Sequence, residues 1–165
     1  MVLAFGGIAP TGQNYASIAL FNAIFGGEGY SRLFRLAREE MGLCYHIASY
    51  VETTLAAVMV ECALDAADFI QVRQVVEEEL QRIRCGEISV EETDRARQFL
   101  ADQLIGLEDS QEGTARFCLQ RQTAEIPLRR HDLMRLWEKT DLAAVQRVAQ
   151  GLKLSVVYCL EARPA

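Results

Sequence analysis

Residues 26–50, GGEGYSRLFRLAREEMGLCYHIASY, decide how the rest of the chain is read. Three glycines in the first four positions (Gly26, Gly27, Gly29) let the backbone reverse within a few residues. Ser31 is of a residue type that caps the N-terminus of a helix, and Gly42 stands where a left-handed residue closes one. The segment therefore predicts a glycine turn, a short helix, a glycine stop and then a strand. Leu33, Phe34 and Ala37 give the helix its apolar side, while Arg32, Arg35, Arg38, Glu39 and Glu40 are placed on its surface. Charge and glycine crowded between two apolar segments mark a candidate site as well as a fold.

Working outward, residues 15–25, YASIALFNAIF, place Ile18, Phe21 and Phe25 at helical spacing and fill the other sides with Leu20, Ala23 and Ile24. A helix apolar nearly all round is a buried helix. Before it, Val2 to Ile8 reads as a strand that begins almost at Met1, which raises the expectation that a longer chain was divided here. After the site segment, Tyr45, Ile47, Ser49 and Val51 alternate along one strand and Leu55 to Leu64 supplies a second. Together they predict an antiparallel hairpin. From Asp65 the period changes: Phe69, Val72, Val76, Leu80 and Ile83 lie three or four apart, in a helix stopped by Gly86. Ser89-Val-Glu-Glu92 has the form of a capping box, opening a helix that would bury Ala96, Phe99, Leu100, Leu104 and Leu107.

A break near residues 108–113 and a further helix ending at about Ile126, before Pro127, follow. Two shorter helices are expected at about 132–139 and 141–150, the second capped by Thr140, and Leu154 to Leu160 closes the chain as a strand. The order β-α-α-β-β, five helices and a final β predicts one α+β domain over residues 1–165, with helices packed on one face of an antiparallel or mixed sheet.

Composition narrows the function classes. The chain has 165 residues, half of them hydrophobic, and a net charge of −6. That balance argues against general nucleic-acid binding, which needs a basic face. No apolar run reaches the roughly 18 residues of a membrane-spanning helix. The start, MVLAFGGIAP, shows neither the basic residues nor the cleavage site of a signal peptide. Five cysteines (Cys44, Cys62, Cys85, Cys118, Cys159) are widely spaced without a C-x-x-C pair, which disfavours a zinc or disulfide framework. Cys44, Cys62 and Cys159 sit in apolar strand-like runs, where a free thiol behaves as a small hydrophobe. A reducing cytoplasm is the expected location. Glu77 to Glu79 and Glu91–Glu92 are expected as solvated faces and capping groups, Arg129-Arg130-His131 as surface, and Trp137 with Leu133, Met134 and Leu136 as core or partner contact.

The segment FNAIFGGEGYSRLFRLAREEMGLCYHIAS resembles the C-terminal-type, non-zinc-binding domain of the pitrilysin/insulinase peptidases, the inverzincins. The shared features are the apolar helix, the glycine turn, Ser31-Arg-Leu-Phe34, Arg38-Glu39, and Gly42-Leu43 leading to Tyr45. The strand and helix order agrees along nearly the whole chain, and SVEETDRARQFLADQL is similar to the family's long helix after the hairpin. The nearest likeness is to paired bacterial zinc-protease-like proteins of the cytoplasm, including those associated with elongation factor P modification. The resemblance implies a fold like that of the LuxS/processing-peptidase metallohydrolases, and a C-terminal half or last quarter of a longer or two-subunit protein.

The family's zinc motif, H-x-x-E-H on a helix, is missing. The two histidines, His46 and His131, are far apart and neither lies in that motif. Catalytic zinc takes three protein ligands, so this chain alone is not expected to hydrolyse peptides and no metal site is expected on it. The resemblance implies that zinc belongs to a homologous partner half, over which this domain closes. It also implies that Arg38 and Tyr45 reach a peptide substrate, and that Gly26, Gly27, Gly29 and Ser31 form a site loop of close approach.

The chemistry is sensible in itself, because a guanidinium and a phenol can stabilise the oxyanion of a tetrahedral intermediate. The alternative is structural: Tyr45 packs in the sheet and Arg38 pairs with Glu39 or Glu40. A nucleotide cradle is disfavoured, since GGEGYS follows a helix and contains no G-K-S/T. A proteolytically inactive scaffold subunit of the same family is the second functional reading. Either could self-associate through the face a sister half would cover.

Overall fold

The computed structural model describes residues 1–27, 29–106, 110–123 and 129–161. Strands β1 (Val2–Gly6), β2 (His46–Glu52), β3 (Ala57–Ala63) and β4 (Lys153–Tyr158) form one antiparallel sheet in the order β2-β3-β1-β4. The helices are α1 (Tyr15–Phe25), α2 (Phe34–Glu40), α3 (Phe69–Arg84), α4 (Val90–Gly106), α5 (Gln111–Thr123), α6 (Arg130–Lys139) and α7 (Leu142–Gly151). This is the α+β architecture, and the element order, that the sequence predicts.

Alternation in the strands explains why helices occupy one face. Leu3 and Phe5 of β1, Ile47 and Ser49 of β2, and Val58, Val60 and Cys62 of β3 point into the core. The register aligns Leu3 with Val60 and Val60 with Ser49, so these side chains form rows across the sheet. α1 lies against them and is apolar on every side because the outer helices cover it in turn; it touches β2 as well as α4, α6 and α7. Phe25 meets Phe5 edge-on at 6.4 Å and stacks with Phe21 at 5.2 Å. Trp137 and Leu133 of α6 are buried in the same cluster. Ala96 and Leu104 of α4 are fully buried and Phe99 and Leu100 only partly, while Leu107 lies outside the described residues, as do Ile126 and Pro127.

Several expectations are corrected. Ser31 is not a side-chain cap: it is buried, and its Oγ has no hydrogen-bond partner. The segment it opens is a π-helical turn over Phe34–Glu40, not a regular α-helix. Thr140 does not cap α7 either; its hydroxyl donates back to the Leu136 carbonyl at 2.8 Å, and the Asp141 carboxylate accepts from the Ala144 N–H at 2.6 Å. β4 ends at Tyr158, leaving Cys159 exposed rather than in an apolar strand. The Ser89–Glu92 capping box forms as expected, with the Ser89 N–H donating to the Glu92 carboxylate at 2.9 Å and the Glu92 N–H to the Ser89 hydroxyl at 3.1 Å.

The largest correction concerns charge. Arg32 is only 8% exposed and Glu79 only 4%, although both were expected on solvated surfaces. Arg32 donates to both oxygens of Glu92, at 2.7 and 2.9 Å, and to the Glu87 carbonyl, and it lies 3.5 Å from Glu79. Residues from three helical segments thus meet on one guanidinium, because a desolvated fork of five donors needs acceptors on several sides.

Candidate functional site

Arg38 and Tyr45 flank the turn that ends α2. The Met41 N–H donates to the Leu36 carbonyl at 3.0 Å and the Leu43 N–H to the Ala37 carbonyl at 2.9 Å, a wide closure that Gly42 completes at φ +62°. Leu43 and Cys44 are buried just beyond it and anchor the chain as it enters β2. Tyr45 precedes β2, its N–H donating to the Ala63 carbonyl at 2.8 Å.

Both side chains face solvent. Arg38 is exposed, and its guanidinium lies 4.6 Å from the centroid of the Phe34 ring, a cation–π contact within the turn. It forms no ion pair among the described residues. Glu40 instead pairs with Arg35 at 2.8 Å, so the expected partnership of Arg38 with Glu39 or Glu40 is not the one found. Tyr45 is 68% exposed, which excludes packing within the sheet.

The Tyr45 hydroxyl donates to Asp65 Oδ2 at 2.9 Å. That bond, followed by the negative charge of Asp65, raises the phenol pKa above its usual value, so it remains a neutral donor at physiological pH. Arg38 and Tyr45 do not bond to each other. The positive charge of Arg38 reaches the start of the strand, where it opposes the rise that burial imposes on the Cys44 thiol.

The glycine loop folds back on its own sheet. The Asn22 carbonyl accepts from Gly26 N–H at 3.0 Å and Gly27 N–H at 2.7 Å, which ends α1. The Gly26 carbonyl then accepts the Ser49 N–H at 2.7 Å, and Asn22 Nδ2 donates to the Ser49 carbonyl at 3.2 Å. A Cβ on Gly26 would stand 2.7 Å from Ser49 Oγ, so the close approach that requires glycine is to β2. Sequence reasoning missed Asp65, which accepts from Tyr45, and Phe34, which holds Arg38. The hairpin register carried a signal for Asp65: His46 faces Ala63, which brings the residues just after β3 beside Tyr45.

The described residues contain no group of three or more His, Cys, Asp or Glu side chains that could hold a metal ion. His46 is exposed on β2, and His131 is exposed at the start of α6, 3.9 Å from Asp132. The donor set does not fit zinc. No helix among the described residues is long and apolar enough to cross a membrane.

Residues 1–100 match the family model described as the peptidase M16 inactive domain. The chain is 25% identical over 154 residues to the probable inactive metalloprotease YmfF of Bacillus subtilis (strain 168), a match covering 93% of this chain and 36% of that protein. The chain thus spans about a third of the length of this curated relative. A conserved protein from Enterococcus faecalis V583 superposes with a TM-score of 0.82 at 26% identity, over 93% of this chain and 36% of that one. A peptidase M16 inactive domain from Pseudomonas fluorescens shares the fold, with a TM-score of 0.72 at 21% identity, over 92% of this chain and 38% of that one.

Proposed function

The chain belongs to the peptidase M16 inactive-domain family, and from that membership we propose that it is the non-catalytic domain of a zinc-metallopeptidase-like protein. In this reading it packs against a homologous zinc-bearing half and lends Arg38 and Tyr45 to a bound peptide. The observation that carries the proposal is the presentation of those two side chains. Both are exposed at the two ends of one hydrogen-bonded turn at Gly42, and neither belongs to the buried core.

The chemistry assigned to them is recognition of the peptide carbonyl and of the oxyanion that develops there. Arg38 supplies a permanent charge with several N–H donors, held over Phe34 and paired with no carboxylate among the described residues. Tyr45 supplies a neutral O–H donor. To donate to a substrate, that hydroxyl exchanges its bond to Asp65 for one to the substrate oxygen. Zinc, in this proposal, resides in the partner half.

The second reading is a proteolytically inactive assembly subunit. The inactive relative in Bacillus subtilis supports it, and so does the engagement of Tyr45 by Asp65, which turns the phenol toward its own domain.

The test is a peptidase assay on the full-length protein or reconstituted pair, comparing wild type with Arg38→Ala and Tyr45→Phe after a folding check. Oxyanion donors lost from a preorganised site lower turnover on the order of 10²-fold. Wild-type cleavage with both variants impaired supports the first reading. Equal cleavage by all three removes Arg38 and Tyr45 from the site. A wild-type pair that binds peptide and does not cleave it favours the assembly subunit.

A further inference from the structure

A small cavity, lined by neither Arg38 nor Tyr45, lies under the segment that joins α1 to α2. Its volume is about 50 Å³. Ala23 and Ile24 of α1 and Ala96 and Phe99 of α4 form its apolar walls, and Ser31 lines it from the joining segment. Ser31 is only 3% exposed, and its Oγ has no hydrogen-bond partner. A buried hydroxyl left without a partner is rare and unfavourable, and it points to a group that completes it. At the rim stand Tyr30 and Arg95, both exposed. Arg95 differs from the arginines around it. Arg32, Arg82 and Arg97 each meet a carboxylate, whereas Arg95 has no partner among the described residues.

We propose that this cavity is a carboxylate-binding site, in which one carboxylate oxygen accepts from the Ser31 hydroxyl and the other from the Arg95 guanidinium. The chemistry of the lining selects the ligand. Glu92 also borders the cavity, but Arg32 and the Ser89 N–H already occupy both its oxygens, so its charge is balanced and closed to a bound cation. Arg95 is left as the uncompensated charge, and an anion is its counterpart. A phosphate would bring more charge than one guanidinium balances. It would also press further oxygens against four apolar side chains, where an unpaired polar atom is penalised. A carboxylate brings two oxygens for two donors, and a carbon stem for the apolar walls. Size agrees with this choice. One water needs about 10–15 Å³ of such space, so the cavity admits a group of roughly three to five heavy atoms. The end of acetate, propionate or an acidic side chain has that size. This inference is independent of any role for Arg38 and Tyr45.

The test titrates the isotope-labelled 165-residue chain with sodium propionate at constant ionic strength, followed by NMR at the Ser31 amide and the Arg95 Nε. Saturable shifts at both positions are expected. Propionamide, the neutral isostere, and inorganic phosphate are each expected to bind at least tenfold more weakly. Arg95→Gln, a change on an exposed side chain, and Ser31→Ala are each expected to weaken propionate binding about tenfold. Ser31→Ala carries a second readout. Without ligand its Tm is expected to equal or exceed that of wild type, since the change removes an unsatisfied hydroxyl. A hydroxyl with a purely structural role would instead lower the Tm and leave the propionate affinity unchanged, and that result overturns its place in the site.

Two arms separate the sources of the carboxylate. The capped peptide acetyl-Ala-Glu-Ala-amide carries it on a side chain only, and the corresponding Gln peptide carries none. Binding of the Glu peptide at or above the affinity of propionate, with none by the Gln peptide, supports an acidic polypeptide as the occupant. Binding of propionate with exclusion of the peptide supports a free small carboxylate. The proposal is overturned, and the cavity left to water, by an absence of saturable shifts or by equal binding of propionate and propionamide. Affinities indifferent to both Arg95→Gln and Ser31→Ala overturn it as well.

Discussion

Replacing Arg32 with alanine is the sharpest test of how the site segment is held. The guanidinium makes two bonds to Glu92, one to the Glu87 carbonyl and a close approach to Glu79, in a setting where it is almost wholly shielded from water. Removing one partner of a buried ion pair costs about 3–5 kcal/mol, because the other charge is left without compensation. Here the two carboxylates are not stranded equally. Glu79 retains Arg82 at 3.4 Å, a partner more than half exposed, and Glu92 retains the Ser89 N–H. Those residual partners place the expected loss at the lower end, about 3 kcal/mol. For a domain whose total stability is of order 5–15 kcal/mol, that is a large share.

Urea unfolding followed by circular dichroism measures the loss, which is expected at constant m-value. The acid limb supplies a second readout. Burial alone would raise the Glu92 pKa, but the bonds from Arg32 and Ser89 outweigh it and hold the carboxyl below 4.5. A depressed carboxylate pKa contributes stability that is present above the unfolded-state value and lost as pH falls through the folded-state value. The gap between wild type and Arg32→Ala is therefore expected to narrow as pH drops below about 4.5. A loss under about 1 kcal/mol at neutral pH, or a gap that stays constant into acid, refutes the clamp.

Three further outcomes are expected. Gly26→Ala drives a Cβ to 2.7 Å from Ser49 Oγ, 2.9 Å from Ser49 Cβ and 3.0 Å from Ser49 N; overpacking of this kind costs about 2 kcal/mol, or roughly 4–8 °C in Tm for a domain of this size. Calorimetry checks it, and a shift under 1 °C would sink the account of the close approach between Gly26 and Ser49. Burial raises the Cys62 thiol to about 12, with the neighbouring Cys44 adding to the rise. Iodoacetamide is accordingly expected to label Cys85, Cys118 and Cys159 rapidly and to spare Cys44 and Cys62 until the chain unfolds, as mass spectrometry would show. Because a raised pKa holds its stability below the unfolded value and loses it above, the domain is expected to weaken as pH rises from 9 toward 12.

The fold was legible wherever one local signal acted alone. Periodicity placed α1 over Tyr15–Phe25, and the change of period after the hairpin placed α3. The Ser89–Glu92 box was legible because its two hydrogen bonds close within four residues. What escaped was decided by residues far apart in sequence. Arg32 and Glu79 look like surface charges in their own helices and become buried only because α2, α3 and the start of α4 converge. Ser31 has the chemistry of a cap and loses the role because the same convergence buries it. At the candidate site, the exposure of Arg38 and Tyr45 follows from the Gly42 turn, which the sequence announces. Their actual neighbours depend on more: Phe34 on a π-helical winding that no local pattern encodes, and Asp65 on the pairing of β2 with β3, which fixes the register of the hairpin.

The winding of α2 makes this segment sensitive to length in a way its composition conceals. Arg32 is fixed in the core at one end, and Gly42 with Leu43 is fixed at the other. The wide turn between them absorbs the residue that a regular helix could not. Deleting one residue between Phe34 and Glu40 would let an ordinary helix join the same two anchors in register. Inserting one would instead rotate one end against the other by about 100°. Either the guanidinium then leaves its carboxylates or the chain enters β2 with its faces exchanged. The slack of this stretch is already taken up, so it is a spacer whose count matters more than its letters.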